Sequence, residues 1–332
     1  MNKNVVVTGG CGFIGSHLSE LLLNKGYFVN IIDDLSGGNL KNISEFRDNP
    51  KLKVWNEDIR NLKPGHNAFE NAEYVFHLAG IGDIVPSIEK PYDYMSVNVL
   101  GTVNILECAR NANVKKFVYA ASSSCYGIAK TPTCESHPIN PLYPYAISKY
   151  QGEELVFHWN KVYKLPTNSI CIFNAYGPRV RTSGAYGAVF GVFFKQKLSN
   201  KPFTIVGDGL QSRDFVYVTD VANAFLKAAL TNDIGERYNL GSGNPQKIKY
   251  LAELIDGEIT YLPKRPGEPD TTHANIKKIT ERLNWVPKIN FETGVKKMLE
   301  NINYWQGAPL WDVKKINEAT KTWFKYMSKE TR

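Results

Sequence analysis

The stretch that decides the fold is residues 5–17, VVVTGGCGFIGSH, near the start of the chain. An apolar β-branched run leads into glycines at 9, 12 and 15, and apolar residues then recur at helical spacing. A second apolar run, residues 28–32, ends at Asp33. This order of strand, glycine-rich turn, helix and strand predicts a dinucleotide-binding unit, in which the helix N-terminus receives a pyrophosphate.

Asp33 stands where a carboxylate can accept hydrogen bonds from both ribose hydroxyls. Because an acid there repels a 2′-phosphate, NAD is favoured over NADP as the cofactor. The glycine spacing, GxxGxxG, differs from the GxGxxG of the commonest dinucleotide fold, but the glycines serve the same physical purpose. The cofactor contacts predicted in this unit are Gly9, Gly12, Phe13, Ile14, Gly15, Asp33 and Asp34.

Composition narrows the class of protein. The 332 residues suffice for one large or two modest domains. No run of about 18 apolar residues occurs, so we expect no membrane span. Five cysteines without metal-ligand spacing indicate reduced thiols in a cytoplasmic compartment and no metal site. The net charge is +8, but the basic residues are not interleaved with aromatic ones as in proteins that bind nucleic acid. We therefore expect no nucleic-acid binding and instead a basic pocket for a diphosphate.

Strand-like runs alternate with helical stretches up to about residue 173, which predicts an α/β fold with a Rossmann-type, doubly wound parallel sheet. After residue 175, short strands and frequent Gly and Pro indicate a smaller α+β substrate-binding lobe. We expect an NAD-binding domain at 1–175, a mainly substrate-binding lobe at 176–304 with some segments returning to the first, and a helical extension at 305–332. The predicted strands are 4–8, 28–32, 52–55, 74–78, 116–121 and 167–173, and the predicted helices are 13–25, 91–111 and 143–163.

Further cofactor contacts are predicted where later strands end. Asp58 and Ile59 follow the third strand, where a side chain could reach the adenine. The fourth strand ends at Leu78, Ala79 and Gly80, whose small residues let the backbone pass beside the cofactor.

A tyrosine and a lysine follow the fifth strand at the start of a predicted helix. Tyr145 and Lys149 are four residues apart and therefore share a helix face. A phenol with a pKa near 10 is a poor base at neutral pH, but a neighbouring ammonium and a positive nicotinamide ring both favour the phenolate. Ser122, at the end of the strand, could bridge the reacting hydroxyl and Tyr145. These three residues are the predicted catalytic group of a hydride-transfer site.

Over roughly residues 3–300 the chain resembles the extended short-chain dehydrogenase/reductase family, specifically its NAD-dependent nucleotide-sugar epimerases and dehydratases. The 4-epimerases of UDP-glucose and UDP-N-acetylglucosamine are the most similar group. The motifs that carry the resemblance are TGGCGFIGSH (8–17), DDL (33–35), DI (58–59), VN (97–98), the serines 122–124, Tyr145 with Lys149, FNAYGPR (173–179), GDG (207–209), RDF (213–215) and RPGE (265–268).

The resemblance implies further contacts with cofactor and substrate. Tyr145 and Lys149 would also touch the cofactor, together with Asn98 and Phe173. Asn174 would contact the substrate diphosphate. Phe203 and Thr204 would flank the nucleotide base. Arg213 and Arg265 would clamp the phosphates through their bidentate guanidinium forks. The other implied substrate contacts are Ser87, Glu268 and Thr272.

The two positions after Ser122 discriminate among members of the family. In the 4,6-dehydratases an Asp-Glu pair there eliminates water across C5 and C6 of the sugar. This chain has Ser123 and Ser124, which are candidates for catalytic or substrate contacts but are poor acids and bases. The run resembles the epimerases, particularly those of N-acetylated UDP-hexoses. They act by transient oxidation at C4 to a 4-keto sugar, which is re-reduced on the opposite face.

Three interpretations stay open at this point. The first is a nucleotide-sugar 4-epimerase. The second is another sugar-nucleotide enzyme of the same fold: a dehydratase, a uronate epimerase or decarboxylase, or a 4-keto reductase. The third is a non-catalytic NAD-binding protein. Two stretches, 81–87 and 183–188, depart from the usual pattern of the family, so the sequence does not determine which sugar is the substrate.

The expected partners are a nucleotide-diphosphate sugar as substrate and a second copy of the chain. The family implies a homodimer through helices 91–111 and 143–163. A last helix is predicted at 312–326, packed on its own domain or against a second subunit. Its apolar face would comprise Val313, Ile316, Ala319, Trp323 and Tyr326.

Thr272 lies near the position where epimerases of this family place a residue that limits the room beside C2 of the sugar. A threonine is small enough to leave space for an N-acetyl group. We predict that Thr272→Tyr lowers kcat/KM for N-acetylated UDP-hexoses more than for plain UDP-hexoses. Equal losses on the two classes would contradict this role.

Overall fold

The computed structural model describes residues 3–182 and 189–328, so the unusual stretch 183–188 lies outside the described residues. The strands are β1 (Asn4–Thr8), β2 (Phe28–Ile32), β3 (Leu52–Trp55), β4 (Ala72–His77), β5 (Lys116–Ser122), β6 (Thr167–Ile172), β7 (Asn174–Tyr176), β8 (Phe203–Val206), β9 (Ser212–Arg213), β10 (Phe215–Tyr217), β11 (Glu236–Leu240), β12 (Gln246–Lys247) and β13 (Ile259–Leu262).

Eleven α-helices are found among these residues, with a π-helical segment between the third and fourth and short 3₁₀ turns elsewhere. The α-helices are α1 (Phe13–Asn24), α2 (Ile84–Glu89), α3 (Pro91–Met95), α4 (Gly101–Asn111), α5 (Pro144–Tyr163), α6 (Val189–Leu198), α7 (Val218–Leu230), α8 (Ile248–Ile255), α9 (Lys277–Leu283), α10 (Phe291–Glu300) and α11 (Val313–Met327). The π segment is Ser96–Leu100, and the 3₁₀ turns are Leu40–Ile43, Ile59–Asn61, Asn67–Phe69, Ser123–Tyr126 and Ile302–Trp305.

The main sheet has seven parallel strands in the order β11-β6-β5-β4-β1-β2-β3, which confirms the predicted doubly wound α/β fold. The six strands predicted for the first lobe are found with limits that differ by at most two residues. The strand order reverses beside β1, and in such sheets ligands bind in the crevice outside the carboxyl ends of the strands at that point. A ligand is therefore expected at the carboxyl ends of β1, β2, β4 and β5.

Helices cover both faces of the sheet, so apolar residues of one strand are buried on both sides of it. In β1, Val5 and Val7 belong to one core cluster, while Val6 belongs to the cluster on the opposite face. All three are fully buried. Strand β11 pairs with β6 although it comes from the later half of the chain, so this segment returns to the first sheet.

The remaining strands form three two-stranded sheets, β7–β10, β8–β13 and β9–β12. They belong to a second lobe whose core is rich in aromatic rings. Phe190 stacks on Tyr176 with ring centroids 4.9 Å apart, and Phe215 stacks on Phe291 at 5.1 Å. Because aromatic rings bury a large area each, they can stabilise a small lobe with short strands.

The C-terminal helix is present as predicted, but its buried face is different. Val313 and Tyr326, which the apolar pattern placed on that face, are 41% and 56% exposed. The buried residues are Ile316, Thr320 and Trp323. Thr320 can be buried because its hydroxyl donates to the Ile316 carbonyl, so no polar group is left unsatisfied.

Among the described ranges, no helix combines the length and the apolar character that crossing a membrane requires.

Candidate active site

The glycine-rich turn lies between β1 and α1, at the centre of the carboxyl edge of the sheet. Gly9 has a φ of +68°, and a Cβ there would lie 2.7 Å from the Ala79 nitrogen at the end of β4. A Cβ on Gly15 would overlap the carbonyl oxygen of Gly9. Two strand ends and the first turn of α1 therefore approach too closely for side chains, which leaves the backbone cradle that a pyrophosphate requires.

The neighbouring predicted contacts complete this turn. Gly12 precedes α1 and donates its N–H to the Gly9 carbonyl at 3.0 Å. Phe13 and Ile14 are partly buried and pack against the core of the second lobe. The first turn of α1 therefore joins the two lobes at the cradle.

Asp33 follows β2 and is 6% exposed. Its carboxylate accepts hydrogen bonds from the Cys11 and Leu35 N–H groups, both at 2.9 Å, while burial raises its pKa. A carboxylate has further acceptor sites, so Asp33 can also accept ribose hydroxyls. Asp34 is exposed, and its carboxylate accepts a hydrogen bond from the Ser36 hydroxyl. The cradle and Asp33 together fit an adenine dinucleotide.

Other predicted cofactor residues have different local roles. Asp58 begins a 3₁₀ turn, and its carboxylate is held by the Arg60 guanidinium. Ile59 is buried in the core beneath that turn, and Phe173 packs against the same core. The three side chains thus make contacts within the protein, and their contacts with the cofactor stay predictions.

The end of β4 continues into a loop held by Asn98 from the π segment. The Asn98 side chain accepts from the Ile81 N–H at 2.8 Å and donates to the Ile81 carbonyl and to the Ser148 hydroxyl. A Cβ on Gly80 would lie 2.8 Å from the Asn98 oxygen and 3.7 Å from the Lys149 ammonium. Asn98 thus fixes this loop against α5. Leu78 and Ala79 donate to Thr8 in β1, which keeps the two strand ends together.

The three predicted catalytic residues converge beyond the end of β5. Ser122 is the last residue of that strand, and its hydroxyl lies beside the phenol of Tyr145 in the first turn of α5, where it lowers the pKa of that phenol. Lys149 lies one turn later and is 7% exposed. Its ammonium lies 4.4 Å from the centroid of the Tyr119 ring. The sequence therefore identified a group that the fold brings together.

Burial dominates the ionisation of both groups. It raises the pKa of Tyr145 to about 12, and the neighbouring Ser122 hydroxyl acts in the opposite direction. It lowers the pKa of Lys149 to about 8, and the Glu153 carboxylate acts in the opposite direction. The expectation that Lys149 lowers the pKa of Tyr145 is therefore not met by the protein alone, because desolvation of the phenolate outweighs other effects.

Glu153 is a part of the site that the sequence analysis missed. It is fully buried one turn after Lys149, accepts the Ser169 hydroxyl at 2.6 Å and forms a two-point ion pair with Arg237 of β11. The spacing of Tyr145, Lys149 and Glu153 at i, i+4 and i+8 places all three on one helix face. That spacing is the signal that could have found it.

Ser123 and Ser124 open a 3₁₀ turn after β5 and are half-buried. The Ser124 N–H donates to the Ser122 hydroxyl at 3.3 Å, and the Ser124 hydroxyl lies beside the phenol of Tyr143, whose pKa it lowers. The side chains with the largest effects on the pKa of Tyr145 belong to Ser122, Tyr143 and two cysteines, none of which is a carboxylate.

The predicted phosphate clamp is a three-residue cluster in the second lobe. Glu268 pairs through one carboxylate oxygen with Arg213 at 3.0 Å and through the other with Arg265 at 3.4 Å. Both arginines are largely buried. Arg213 and Glu268 line a cavity of about 380 Å³, and Arg265 is paired with Glu268 next to it. The lining residues are Val206, Gly207, Asp208, Leu210, Gln211, Arg213, Lys264, Glu268, Pro269, Asp270 and Thr271. Two guanidinium groups held at fixed positions beside a cavity suit a diphosphate.

Asn174 and Thr272, predicted near the sugar and the diphosphate, are in direct contact. The Thr272 hydroxyl donates to the Asn174 side-chain oxygen at 2.8 Å and accepts the Asp214 N–H at 3.1 Å. The adjacent Arg213 belongs to the clamp, so the structure places these residues in one neighbourhood.

Three predicted substrate residues have buried side chains. Phe203 stacks on Phe193 in the core of the second lobe, and Thr204 is hydrogen-bonded to Gln196. Ser87 is fully buried, and its hydroxyl donates to the Ile84 carbonyl of its own helix. None of the three side chains lines the cavity. Leu210 and Gln211, which follow the GDG motif, line it instead and were not predicted.

Comparisons with known proteins agree with this geometry. The sequence model of the family described as GDP-mannose 4,6 dehydratase matches residues 6–298. The UDP-glucose 4-epimerase of Mycolicibacterium smegmatis is 34% identical over 304 residues, which cover 89% of this chain and 97% of that protein.

Solved structures give the same result. The UDP-N-acetylglucosamine 4-epimerase of Methanobrevibacter ruminantium, in complex with UDP-N-acetylmuramic acid, matches with a TM-score of 0.84 and 30% identity, covering 90% of this chain and 99% of that one. The UDP-glucuronic acid 4-epimerase of Bacillus cereus, in complex with UDP-glucuronic acid and NAD, matches with a TM-score of 0.83 and 31% identity, over 90% and 99% of the two chains. The chain therefore belongs to the GDP-mannose 4,6-dehydratase family, within the extended short-chain dehydrogenase/reductase fold.

Proposed function

We propose that this protein is an NAD-dependent nucleotide-sugar 4-epimerase that acts on a UDP-hexose or a UDP-N-acetylhexosamine. The observation that carries the proposal is the convergence of Ser122, Tyr145 and the buried Lys149, with serines at the two positions where a dehydratase has acids. The similarity to 4-epimerases of three different UDP-sugars supports it.

The cofactor would be held by residues 1–175 and the sugar nucleotide mainly by residues 176–304. The cradle of Gly9 and Gly15 fits the pyrophosphate, and Asp33 fits the adenosine ribose. NAD, when bound there, supplies a ring that accepts a hydride from C4 of the sugar and returns it. Its positive ring also favours the phenolate of Tyr145, for which burial in the protein alone is unfavourable.

The chain's own residues then perform the proton chemistry. Tyr145 takes the proton from the C4 hydroxyl as C4 is oxidised, and gives it back when C4 is re-reduced on the other face. Ser122, beside Tyr145, orients the hydroxyl. Lys149, once NAD is bound, would add its positive charge to that of the cofactor ring, and Glu153 favours the protonated form of this lysine.

The clamp has a separate task. Arg213 and Arg265 hold the diphosphate while the 4-keto sugar turns about it. Ser123 and Ser124 contribute no carboxylate that could remove the C5 proton, so elimination of water is disfavoured and the sugar returns to the alcohol.

We predict that Tyr145→Phe lowers kcat by about 10³-fold, because general acid–base catalysis contributes roughly 10²–10⁴-fold. The measurement is proton NMR of the products formed from UDP-glucose, UDP-N-acetylglucosamine and UDP-glucuronic acid. The 4-epimer of at least one of them is the expected product. NAD binding should be retained, since the cradle is unchanged.

Tyr150→Phe, on the same helix, is the matched control and should leave kcat unchanged. A stable 4-keto-6-deoxy product would show a dehydratase instead. A protein that binds NAD but turns over none of the three sugars would favour the non-catalytic alternative.

We also predict a pH effect from Glu153→Gln. The Glu153 carboxylate raises the pKa of Lys149, so its neutralisation lets Lys149 lose its proton at lower pH than about 8. The alkaline limb of the kcat profile should move to lower pH. The ratio of kcat at pH 8.5 to kcat at pH 7 should be at least about twofold lower than the same ratio in the wild type. Ser169→Ala removes a neutral hydrogen bond to the same carboxylate and should leave the limb in place. An unchanged limb in Glu153→Gln would refute this assignment.

We further infer a homodimer that pairs α3–α5 of two copies. The support is a group of exposed apolar side chains on these elements: Tyr92, Leu100, Val162 and Tyr163. Burial of such side chains is the main driving force for association. Leu100→Asp should therefore shift the mass measured by light scattering from dimer to monomer. Val286→Asp, at an equally exposed position elsewhere, should not. A wild-type monomer would contradict the inference.

A further inference from the structure

The C-terminal segment follows a path across both lobes. Trp305 is buried in the aromatic core of the second lobe, and the Trp311 carbonyl accepts a hydrogen bond from Gln196 at 2.8 Å. Helix α11 then packs against α2 of the first lobe, where the Thr322 hydroxyl donates to Glu89 at 2.8 Å. The family match ends at residue 298, so this segment lies outside it.

Trp323 is the central residue of the contact between α11 and the site. It is 4% exposed. Its indole N–H donates to the Pro266 carbonyl at 2.8 Å, and its ring lies 5.7 Å from that of Tyr143. One side chain thus touches both the loop of the phosphate clamp and a residue beside the catalytic tyrosine.

The contact between the rings of Trp323 and Tyr143 lies on the side of the catalytic residues, where the sugar would bind. The Tyr143 ring is parallel to that of Tyr145, with centroids 6.5 Å apart and an interplanar angle of 6°. Tyr94 packs against Tyr145 from another direction at 6.4 Å. The Tyr143 phenol lies beside Ser124, one of the two serines that stand where a dehydratase has acids. A row of four rings therefore runs from Tyr94 through Tyr145 and Tyr143 to Trp323.

The hydrogen bond from Trp323 to the Pro266 carbonyl lies on the side of the phosphate clamp. Pro266 lies between Arg265 and Glu268 in the clamp loop. Gly267 in that loop has a φ of +72°, and a Cβ on it would lie 3.0 Å from the methyl group of Met327, on the next turn of α11. Helix α11 therefore covers the loop closely and fixes its backbone.

We propose that Trp323 is a positioning residue that fixes the Tyr143 wall of the sugar subsite and the Arg265–Glu268 clamp loop, and thereby sets which sugars the site accepts. This inference rests on the proposed function, because it concerns the sugar subsite of that same reaction. It assigns to α11 a part in substrate selection in addition to its packing.

Two substitutions separate the two contacts. Trp323→Phe keeps a ring against Tyr143 but removes the N–H that Pro266 accepts. We expect the Kd for UDP, measured by calorimetry, to rise about threefold or more. The ratio of kcat/KM for UDP-N-acetylglucosamine to that for UDP-glucose should stay within about twofold of wild type. Trp323→Ala removes both contacts. It should also change that ratio by about fivefold or more, because Tyr143 loses its support.

Tyr326→Ala is the matched control, because it removes an exposed aromatic ring from the same helix. It should leave the UDP affinity and the sugar ratio unchanged, and thermal unfolding checks that each variant is folded. Wild-type UDP affinity and sugar ratio in a folded Trp323→Ala would overturn the proposal, as would equal changes in Tyr326→Ala. If Trp323→Ala does not fold, the UDP affinity of Trp323→Phe decides: a wild-type value overturns the proposal.

The failure of the proposed function is a distinct result. If the wild-type protein epimerises none of the sugar nucleotides, the affinities for UDP, UDP-glucose and UDP-N-acetylglucosamine replace the kinetic ratio. Weaker UDP binding in Trp323→Phe and a changed ratio of sugar affinities in Trp323→Ala would then support the positioning role. Unchanged affinities would refute it.

Discussion

One buried positive charge sets the requirements for the catalytic half of the molecule. In the proposed reaction Lys149 is protonated in a position that is almost inaccessible to water, where a charge without compensation is costly. Glu153 provides the compensation from the next helical turn, and Glu153 in turn is paired with Arg237. Arg237 belongs to β11, so the later part of the chain returns to the first sheet with a charge that this site needs. The same strand therefore pairs with β6 in the sheet and supplies the arginine that balances the charge of Glu153.

This arrangement shows which parts of the site are predictable from the sequence. Strand ends, the glycine turn and the pair of Tyr145 and Lys149 are set by local patterns of period two and 3.6, and the structure has them within two residues of the predicted limits. Glu153 follows the same helical spacing and was within reach of that reasoning. Arg237 was not, because 84 residues separate it from Glu153 and no local pattern connects them.

The second lobe was harder for the same physical reason. Its strands have two to four residues, too few for a period to distinguish a face toward the cavity from one toward the core. Phe203 therefore belongs to the core although a position beside the nucleotide base was expected. The clamp joins residues that are 55 positions apart, and only resemblance indicated it. In α11 the apolar pattern favoured Val313 and Tyr326, yet the helix buries Thr320, because a threonine can satisfy its hydroxyl within its own helix.

The clamp and the catalytic tyrosine face opposite demands during an epimerisation. The diphosphate must stay fixed while the sugar turns over, and the base must remain at one distance from the C4 oxygen for both faces. Glu268 holds the two arginines in a fixed relation, and it leaves them a net positive charge for the diphosphate. Independent motion of the two lobes would still change the distance between this clamp and Tyr145. A side chain such as Trp323, in contact with the clamp loop and with the ring stacked on Tyr145, ties the two ends of the substrate site to one another. A rigid connection across the cleft is therefore compatible with a sugar that turns freely inside it.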